Sequence, residues 1–228
     1  MPKIKFLILL IFVIPFTAHS KTPEEAKSAL ASLKIPYSEE GFINCVTKGD
    51  TTAVNLFLDA GMSPNVRQNG DRSVLMMAAY AGNKEIVQAL LAKGAEIEAR
   101  SKIQWTPLTY AVWNGDTTTV QFLLDHGASA KVVDNRGVTP LINAAMKGYT
   151  VIAQQLIAKG TDVNAQTKKG QTALMHASWE GHTETVKVLL AQGVDVNARD
   201  IDGKTALTAA ILSHHDDIVE LLKKAGAK

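Results

Sequence analysis

Apolar residues recur in this chain with the spacing of two short helices. Between residues 106 and 127, Leu108 and Ala111 lie three positions apart, so they share one helix face. After Gly115 a second helix is expected, with apolar positions at Val120, Leu123 and Leu124. Such a pair has one apolar side and is too small to bury that side alone, so it must pack against other parts of the chain.

The ends of both helices are marked by capping residues. Thr106 is a good N-cap, and Pro107 suits the first helical position, where a backbone N–H is not needed. Gly115 is expected to end the first helix, and Asp116 to cap the second. Gly127 suits a left-handed C-terminal stop.

The same pattern repeats along the chain with a period of 33 residues. The glycine that ends the first helix recurs at Gly49, Gly82, Gly115, Gly148 and Gly181. The glycine that ends the second recurs at Gly61, Gly94, Gly127, Gly160, Gly193 and Gly226. The apolar pair recurs at Leu75/Ala78, Leu108/Ala111, Leu141/Ala144, Leu174/Ala177 and Leu207/Ala210. Several series with one period of this length predict a solenoid of stacked units.

The motifs at these positions resemble those of the ankyrin repeats. They are Thr106-Pro-Leu-Thr-Tyr-Ala, Thr139-Pro-Leu-Ile-Asn-Ala, Thr172-Ala-Leu-Met-His-Ala and Thr205-Ala-Leu-Thr-Ala-Ala, with the tails Gly160-Thr-Asp-Val-Asn-Ala and Gly193-Val-Asp-Val-Asn-Ala. The resemblance covers roughly residues 37 to 228. One departure recurs, because the family's usual histidine after the leucine is replaced by Met76, Thr109, Ile142, Met175 or Thr208. The resemblance implies an all-α solenoid of about six helix–turn–helix repeats with short β-hairpin turns.

The expected repeats span residues 37–70, 71–103, 104–136, 137–169, 170–202 and 203–228. In the first repeat Phe42 replaces the leucine and the Thr-Pro pair is lost. In the last repeat His214 replaces the inter-helix glycine and Lys223 replaces a leucine, which suits a C-terminal cap with a polar outer face. Turns are expected near Asn69-Gly70, Asn135-Arg136-Gly137, Lys169-Gly170 and Asp202-Gly203.

Residues 1–20 have the pattern of a signal peptide. Lys3 and Lys5 form a basic start, an apolar run extends from Phe6 to Phe16, and cleavage is expected after Ser20. The 11-residue run would extend about 17 Å as a helix, against a hydrocarbon core of about 30 Å. An uncleaved anchor and a chance apolar start remain alternatives. We therefore expect a periplasmic or secreted protein with no stable membrane anchor after cleavage.

Residues 21–36 are expected to form an N-terminal capping helix and lead-in. Thr22 and Glu25 form a capping box over a helix spanning 22–34, with Pro23 at the first position and Pro36 beyond its end. Residues 33–42 resemble the lead-in of exported bacterial ankyrin-repeat proteins.

Composition does not favour a nucleic-acid partner. The chain has 24 Lys and Arg against 22 Asp and Glu, and residues 1–20 contribute two cations, Lys3 and Lys5, and no acid. The rest is formally neutral, so nothing global favours nucleic acid or an anionic membrane.

Cys45 is the only cysteine, which rules out an internal disulfide. It lies 33 positions before Ala78, at the small buried position of the repeat. A core residue is expected, with a reactive thiol or an intermolecular bridge as alternatives.

In the family, partners bind a concave groove lined by the hairpin tips and the exposed face of each first helix. Two positions before the first stop glycine, this chain has Tyr80, Trp113, Met146 and Trp179; the next position holds Ala81, Asn114, Lys147 and Glu180. Large aromatics with methionine among them are typical of protein-binding hot spots. We predict an aromatic ladder across four repeats. The alternative is that each ring only covers the neighbouring helix.

The hairpin arms add a basic edge to this predicted groove. One register holds Arg67, Arg100, Val133, Gln166 and Arg199, and another holds Arg72, Trp105, Val138, Gln171 and Lys204. Lys168 and Lys169 lie at a tip. A partner with acidic and apolar groups would suit this surface, whereas ordinary solvated charge is the alternative.

The sequence contains no recognised catalytic or metal-binding motif. The one ligand-rich patch is His214-His215-Asp216-Asp217, whose adjacent residues point in different directions, so a capping turn is favoured over a metal site. His176 and His182 occupy repeat positions without an evident triad partner. No cofactor is expected.

These observations predict an exported, non-enzymatic, monomeric protein that binds another protein through its groove. It would act as a scaffold, adaptor or inhibitor of a periplasmic partner. A secreted effector acting on a host protein is one alternative. An enzyme or metal-dependent factor with an unrecognised site is another.

Overall fold

The computed structural model describes residues 21–228, so the predicted signal peptide lies outside the described residues. Within these described residues, one N-terminal helix, α1 (Pro23–Ser32), precedes six helix pairs. The first helices of the pairs are α2 (Glu39–Lys48), α4 (Val74–Tyr80), α6 (Pro107–Asn114), α8 (Pro140–Lys147), α10 (Ala173–Trp179) and α12 (Ala206–Leu212). The second helices are α3 (Thr51–Asp59), α5 (Lys84–Ala92), α7 (Thr117–Asp125), α9 (Thr150–Ala158), α11 (Thr183–Leu190) and α13 (Asp216–Lys224). The predicted all-α repeat solenoid is confirmed.

The pairs stack in two layers. Each first helix packs against the first helix of the next pair, from α2 through α12, and each second helix packs against the next second helix, from α3 through α13. The core between the layers is formed by the two periodic series, all of them buried: Phe42, Leu75, Leu108, Leu141, Leu174 and Leu207, with Cys45, Ala78, Ala111, Ala144, Ala177 and Ala210. Each unit therefore buries its apolar side only by contact with its neighbours.

The helix ends follow the capping pattern of the sequence. The Thr106 side chain accepts a hydrogen bond from the Thr109 backbone N–H, and Pro107 is the first residue of α6. Gly115 ends α6 with a left-handed φ of 85°. The Asp116 side chain then accepts a 2.6 Å hydrogen bond from the Thr119 N–H at the start of α7. One glycine and one capping residue thus reverse the chain between the two layers.

Cys45 lies in the core, as its register predicts. Its side chain packs in the hydrophobic cluster with 6% of the residue exposed. Burial raises the pKa of the Cys45 thiol, which favours the neutral, unreactive form.

The N-terminal helix covers the first repeat. Thr22 and Glu25 form the predicted capping box, and Ala26 and Leu30 are fully buried where α1 packs against α3. The helix ends at Ser32, before the predicted limit of residue 34, because Lys34 turns into the left-handed region with φ 58°.

Short turns connect each helix pair to the next. The first contains an antiparallel pair of two-residue strands, β1 (Arg67–Gln68) and β2 (Arg72–Ser73), and it is the sole strand pair within residues 21–228. The other arms turn without strands, with positive φ at the expected residues Gly137, Gly170 and Gly203.

The last pair closes the C-terminal end. His214 adopts φ 60° in the place of the inter-helix glycine. In α13, Ile218 and Leu222 are fully buried, whereas Lys223 faces solvent. None of the helices found between residues 21 and 228 combines the length and apolarity that a membrane crossing requires.

Candidate protein-binding face

Two registers of the first helices form one face of the solenoid, which we call the groove face. The first is the predicted ladder of Tyr80, Trp113, Met146 and Trp179. The second lies three positions earlier and therefore on the same side of each helix; it holds Met77, Tyr110, Asn143, His176 and Ala209. Sequence reasoning missed the second register, although its i, i+3 spacing to the ladder and its 33-residue period were available.

The ladder residues differ in exposure. Tyr80 and Trp179 are 48% and 49% exposed. Trp113 and Met146 are half-buried, and Trp113 packs against the core. The Tyr80 ring meets Tyr110 edge to face, with 6.3 Å between ring centroids. The exposed surfaces of Tyr80 and Trp179 therefore lie towards opposite ends of the face, joined by less exposed residues.

Trp105 occupies a different position from the one expected. As an arm residue it was predicted to line the groove, but it is 8% exposed. Its ring packs against Tyr110 and Trp113 with centroid separations of 5.2 and 5.3 Å. Its indole N–H donates to Asp134, so the side chain gains a buried partner and turns inward. Trp105 thus supports the ladder from beneath.

Asp134 is the buried charge beneath this cluster. Burial acts to raise the pKa of its carboxyl, but hydrogen bonds from the backbone of Val138 and Arg136, and from the side chains of Trp105 and Arg136, outweigh burial. The pKa of Asp134 therefore lies below its ordinary value. Arg136 also forms an ion pair with it at 3.0 Å. The ionised carboxylate fixes both the turn and the indole.

The polar residues next to the ladder are solvent-facing. Asn114, Lys147 and Glu180 are all exposed. The Lys147 ammonium lies 4.2 Å from the centroid of the Trp113 ring, a cation–π distance. One cation of the predicted site therefore already interacts with the ladder.

The arginines of the predicted basic edge donate hydrogen bonds within their own hairpins. Arg67 donates to the Asp71 carbonyl at 2.6 Å and to the Arg100 carbonyl at 3.1 Å. The other three arginines also donate hydrogen bonds within their own arms: Arg72 to Gln68, Arg100 to Gln104 and Arg199 to Gly203. These arginines stabilise the arms, and a role in binding stays a prediction.

Two adjoining cavities open on the groove face in the C-terminal half. The first, of about 340 Å³, lies between α10, α12 and the last arm and is lined by Met175, Trp179, Glu180, Asp200, Asp202 and Lys204, among others. The second, of about 330 Å³, lies over α8 between the arm that precedes this helix and the arm that follows it. Met146, Gln171 and His176 line both cavities. Burial lowers the pKa of the His176 imidazole, while Glu180 acts in the opposite direction.

The His214–Asp217 segment has structural contacts. His215 Nε2 lies 3.1 Å from the Trp179 carbonyl oxygen, and the Asp217 carboxylate accepts a 2.6 Å hydrogen bond from Thr183. Across residues 21–228, no group of three or more His, Cys, Asp or Glu side chains is arranged to hold a metal ion.

Comparison with known proteins identifies the class to which this fold belongs. The family model described as "Ankyrin repeats (3 copies)" matches residues 42–134, 114–200 and 141–228. The chain therefore belongs to the ankyrin-repeat family, whose repeats serve as protein–protein interaction scaffolds and are typically not enzymes.

One curated relative comes from Treponema pallidum (strain Nichols) and is named an ankyrin repeat-containing protein. It is 37% identical over 81 residues, which cover 36% of this chain and 27% of the relative. The match thus spans about a quarter of that relative's length, and it supports the repeat and not a particular activity.

Proposed function

We propose that this protein is exported and binds another protein on its groove face, acting as a scaffold, adaptor or inhibitor in the periplasm. The observation that carries the proposal is the half-exposed Trp179 beside an open cavity at the end of a continuous aromatic and methionine register. Exposed aromatics that border a cavity are typical anchors of protein interfaces.

The composition of the face supports a protein partner over a small molecule. The cavities adjoin each other and continue into the exposed ladder, so the candidate surface is extended along several repeats. Solvent-facing Lys147 and Glu180 border the apolar residues, which matches the polar rim around an apolar centre found at protein interfaces.

The proposal is tested by capture of partners from the exported fraction on the immobilised protein. Trp179→Ala should reduce recovery of the principal captured protein at least about tenfold, because loss of an interface anchor costs about 2 kcal/mol or more. Trp113→Ala should act in the same direction. Val151→Ala, a substitution of an apolar residue 54% exposed on the outer helix α9, is the matched control and should have no effect.

Circular dichroism of each variant separates lost binding from lost folding. If correctly folded Trp179→Ala captures the partner as well as wild type does, the Trp179 ring only packs against the neighbouring helix and does not bind the partner. Export is tested separately, by cell fractionation and by N-terminal sequencing, which should find Lys21 as the first residue.

A further inference from the structure

The second cavity contains a buried amide that the protein itself leaves unsatisfied. Asn143 lies on α8 and is fully buried, yet it lines this cavity. Neither its Nδ2 nor its Oδ1 has a hydrogen-bond partner within residues 21–228. An unpaired buried polar group is costly and rare in folded proteins, so its presence calls for a reason.

The repeat fold does not require an amide at this position. The corresponding residues of the neighbouring repeats are Met77, Tyr110, His176 and Ala209, which include apolar, aromatic and small side chains. A leucine or methionine would fit the same register without an unpaired polar group. The amide is therefore better explained by a ligand than by packing.

The charge around the cavity is positive. Arg136, Lys168 and Lys169 line it, and its lining includes no carboxylate. Arg136 is paired with Asp134, but Lys168 and Lys169 take part in no ion pair within the described part of the chain. Two unpaired ammonium groups beside a buried amide donor form a suitable environment for a carboxylate.

The position of the cavity indicates that the ligand continues beyond it. It shares Met146, Gln171 and His176 with the first cavity, where Trp179 is exposed. The lining of the first cavity has three carboxylates, Glu180, Asp200 and Asp202, against the single ammonium group of Lys204, and so disfavours a second anion. A bound segment that spans both cavities continues past the second cavity towards Trp179. The carboxylate that it places in the second cavity therefore belongs to a side chain and not to the end of its chain.

We propose that the Asn143 cavity receives an aspartate or glutamate side chain of the bound partner, an inference that rests on the proposed function of the groove face. The carboxylate accepts a hydrogen bond from Asn143 Nδ2 and is attracted by Lys168 and Lys169. A backbone N–H of the partner donates to Asn143 Oδ1. The acidic residue thereby sets the register of the partner along the ladder.

Fluorescence anisotropy at low salt with two amide-capped peptides tests this proposal. One probe is Ser-Gly-Leu-Glu-Leu-Gly-Ser, and its twin has glutamine in place of glutamate. The purified protein should bind the glutamate peptide about tenfold more tightly, as expected for charge-assisted hydrogen bonds. In Lys168→Gln/Lys169→Gln this preference should fall to near equality. Lys223→Gln/Lys224→Gln, which removes the same charge from solvent-exposed positions on α13, should retain it.

Asn143→Leu provides a readout that a structural role would not give. Removal of an unpaired buried amide should raise Tm by about 2–4 °C while the glutamate preference is lost. A fall in Tm would instead assign the amide to the fold and overturn the proposal.

The proposal would also be overturned by equal affinity for the two peptides, by no binding of either, or by loss of the preference in the α13 control. A third peptide, with glutamine in place of glutamate and a free C-terminal carboxylate, should bind like the amide-capped glutamine peptide. Tighter binding of this third peptide would contradict recognition of a side-chain carboxylate. The two proposals can fail separately. If the glutamate and glutamine peptides bind with equal affinity and Trp179→Ala weakens the binding of both, protein binding by the groove face stands and only the preference for an acidic side chain fails.

Discussion

The indole N–H of Trp105 donates a 3.2 Å hydrogen bond to Oδ2 of Asp134, a carboxylate 29 residues further along the chain. Oδ1 of the same carboxylate accepts from the backbone N–H groups of Arg136 and Val138 at 2.7 and 2.9 Å. One buried side chain thus shapes the turn of its own arm and orients the ring that lies beneath Tyr110 and Trp113. The position of the ladder therefore depends on the contact between two adjacent arms.

Asp134→Asn should destabilise the protein by about 1–3 kcal/mol, because an amide nitrogen would face donors that now meet a carboxylate oxygen. Asp200→Asn is the control for the turn: Asp200 accepts from the N–H groups of Asp202 and Lys204 in the equivalent turn of the last arm, but within residues 21–228 it has neither an indole nor an arginine partner. Urea unfolding should show a smaller loss for Asp200→Asn. Equal losses would show that the turn alone, and not the side-chain contacts with Trp105 and Arg136, accounts for the stabilisation.

The same carboxylate should give an acid dependence of stability. The pKa of Asp134 is lowered in the folded protein from its ordinary 3.8, so its contribution is present above pH 3.8 and is lost as the pH falls through the lower folded value. The free energy of unfolding of wild type should therefore approach that of Asp134→Asn below pH 3.8. A constant difference between the two proteins across the acid range would contradict the assignment.

Gly115→Ala should destabilise more than Gly127→Ala. Both glycines have left-handed φ values, 85° and 94°, where a side chain costs about 1–2 kcal/mol. A Cβ at Gly115 would also come within 2.6 Å of the Tyr149 ring from the next repeat, whereas a Cβ at Gly127 meets nothing within 4 Å. Thermal unfolding should rank the variants in this order, and the reverse ranking would contradict the stacking of Tyr149 on this turn.

Leu123→Ala should cost about 2–5 kcal/mol, because a fully buried side chain in the middle of the stack leaves a cavity. Lys223→Ala, at a solvent-facing position of the last helix, should stay within about 0.5 kcal/mol. Equilibrium denaturation measures both. Similar losses of unfolding free energy in the two variants would contradict the burial of Leu123 and the exposure of Lys223 in this fold.

The sequence was sufficient for the fold because its signals are local and repeated. Thr106, Gly115 and Asp116 act within their own turns, and the leucine and alanine series define which side of each helix is buried. Repetition removes the ambiguity of a single short helix, since the same register recurs at a fixed interval. The early end of α1 escaped prediction because it depends on a left-handed backbone at Lys34, a lysine for which nothing local demands that conformation.

The site was less predictable, because its details depend on contacts between repeats. Register alone predicts the helix side on which Tyr80 and Trp179 lie, but not that they are more exposed than Trp113 and Met146 in the same register. The inward turn of Trp105 follows from its hydrogen bond to Asp134 in the next arm, which no local pattern reveals. The unpaired amide of Asn143 could not be predicted either, because it depends on enclosure by the neighbouring helices and arms.

The central claim is that a partner protein lies against the groove face in the cell. A photo-crosslinking amino acid placed at Trp179 tests it directly, with the same residue at Val151 on the outer helix layer as the control. Irradiation of intact cells should produce a discrete crosslinked product from position 179 and little or none from position 151. Crosslinking from position 151 with none from position 179 would contradict the account.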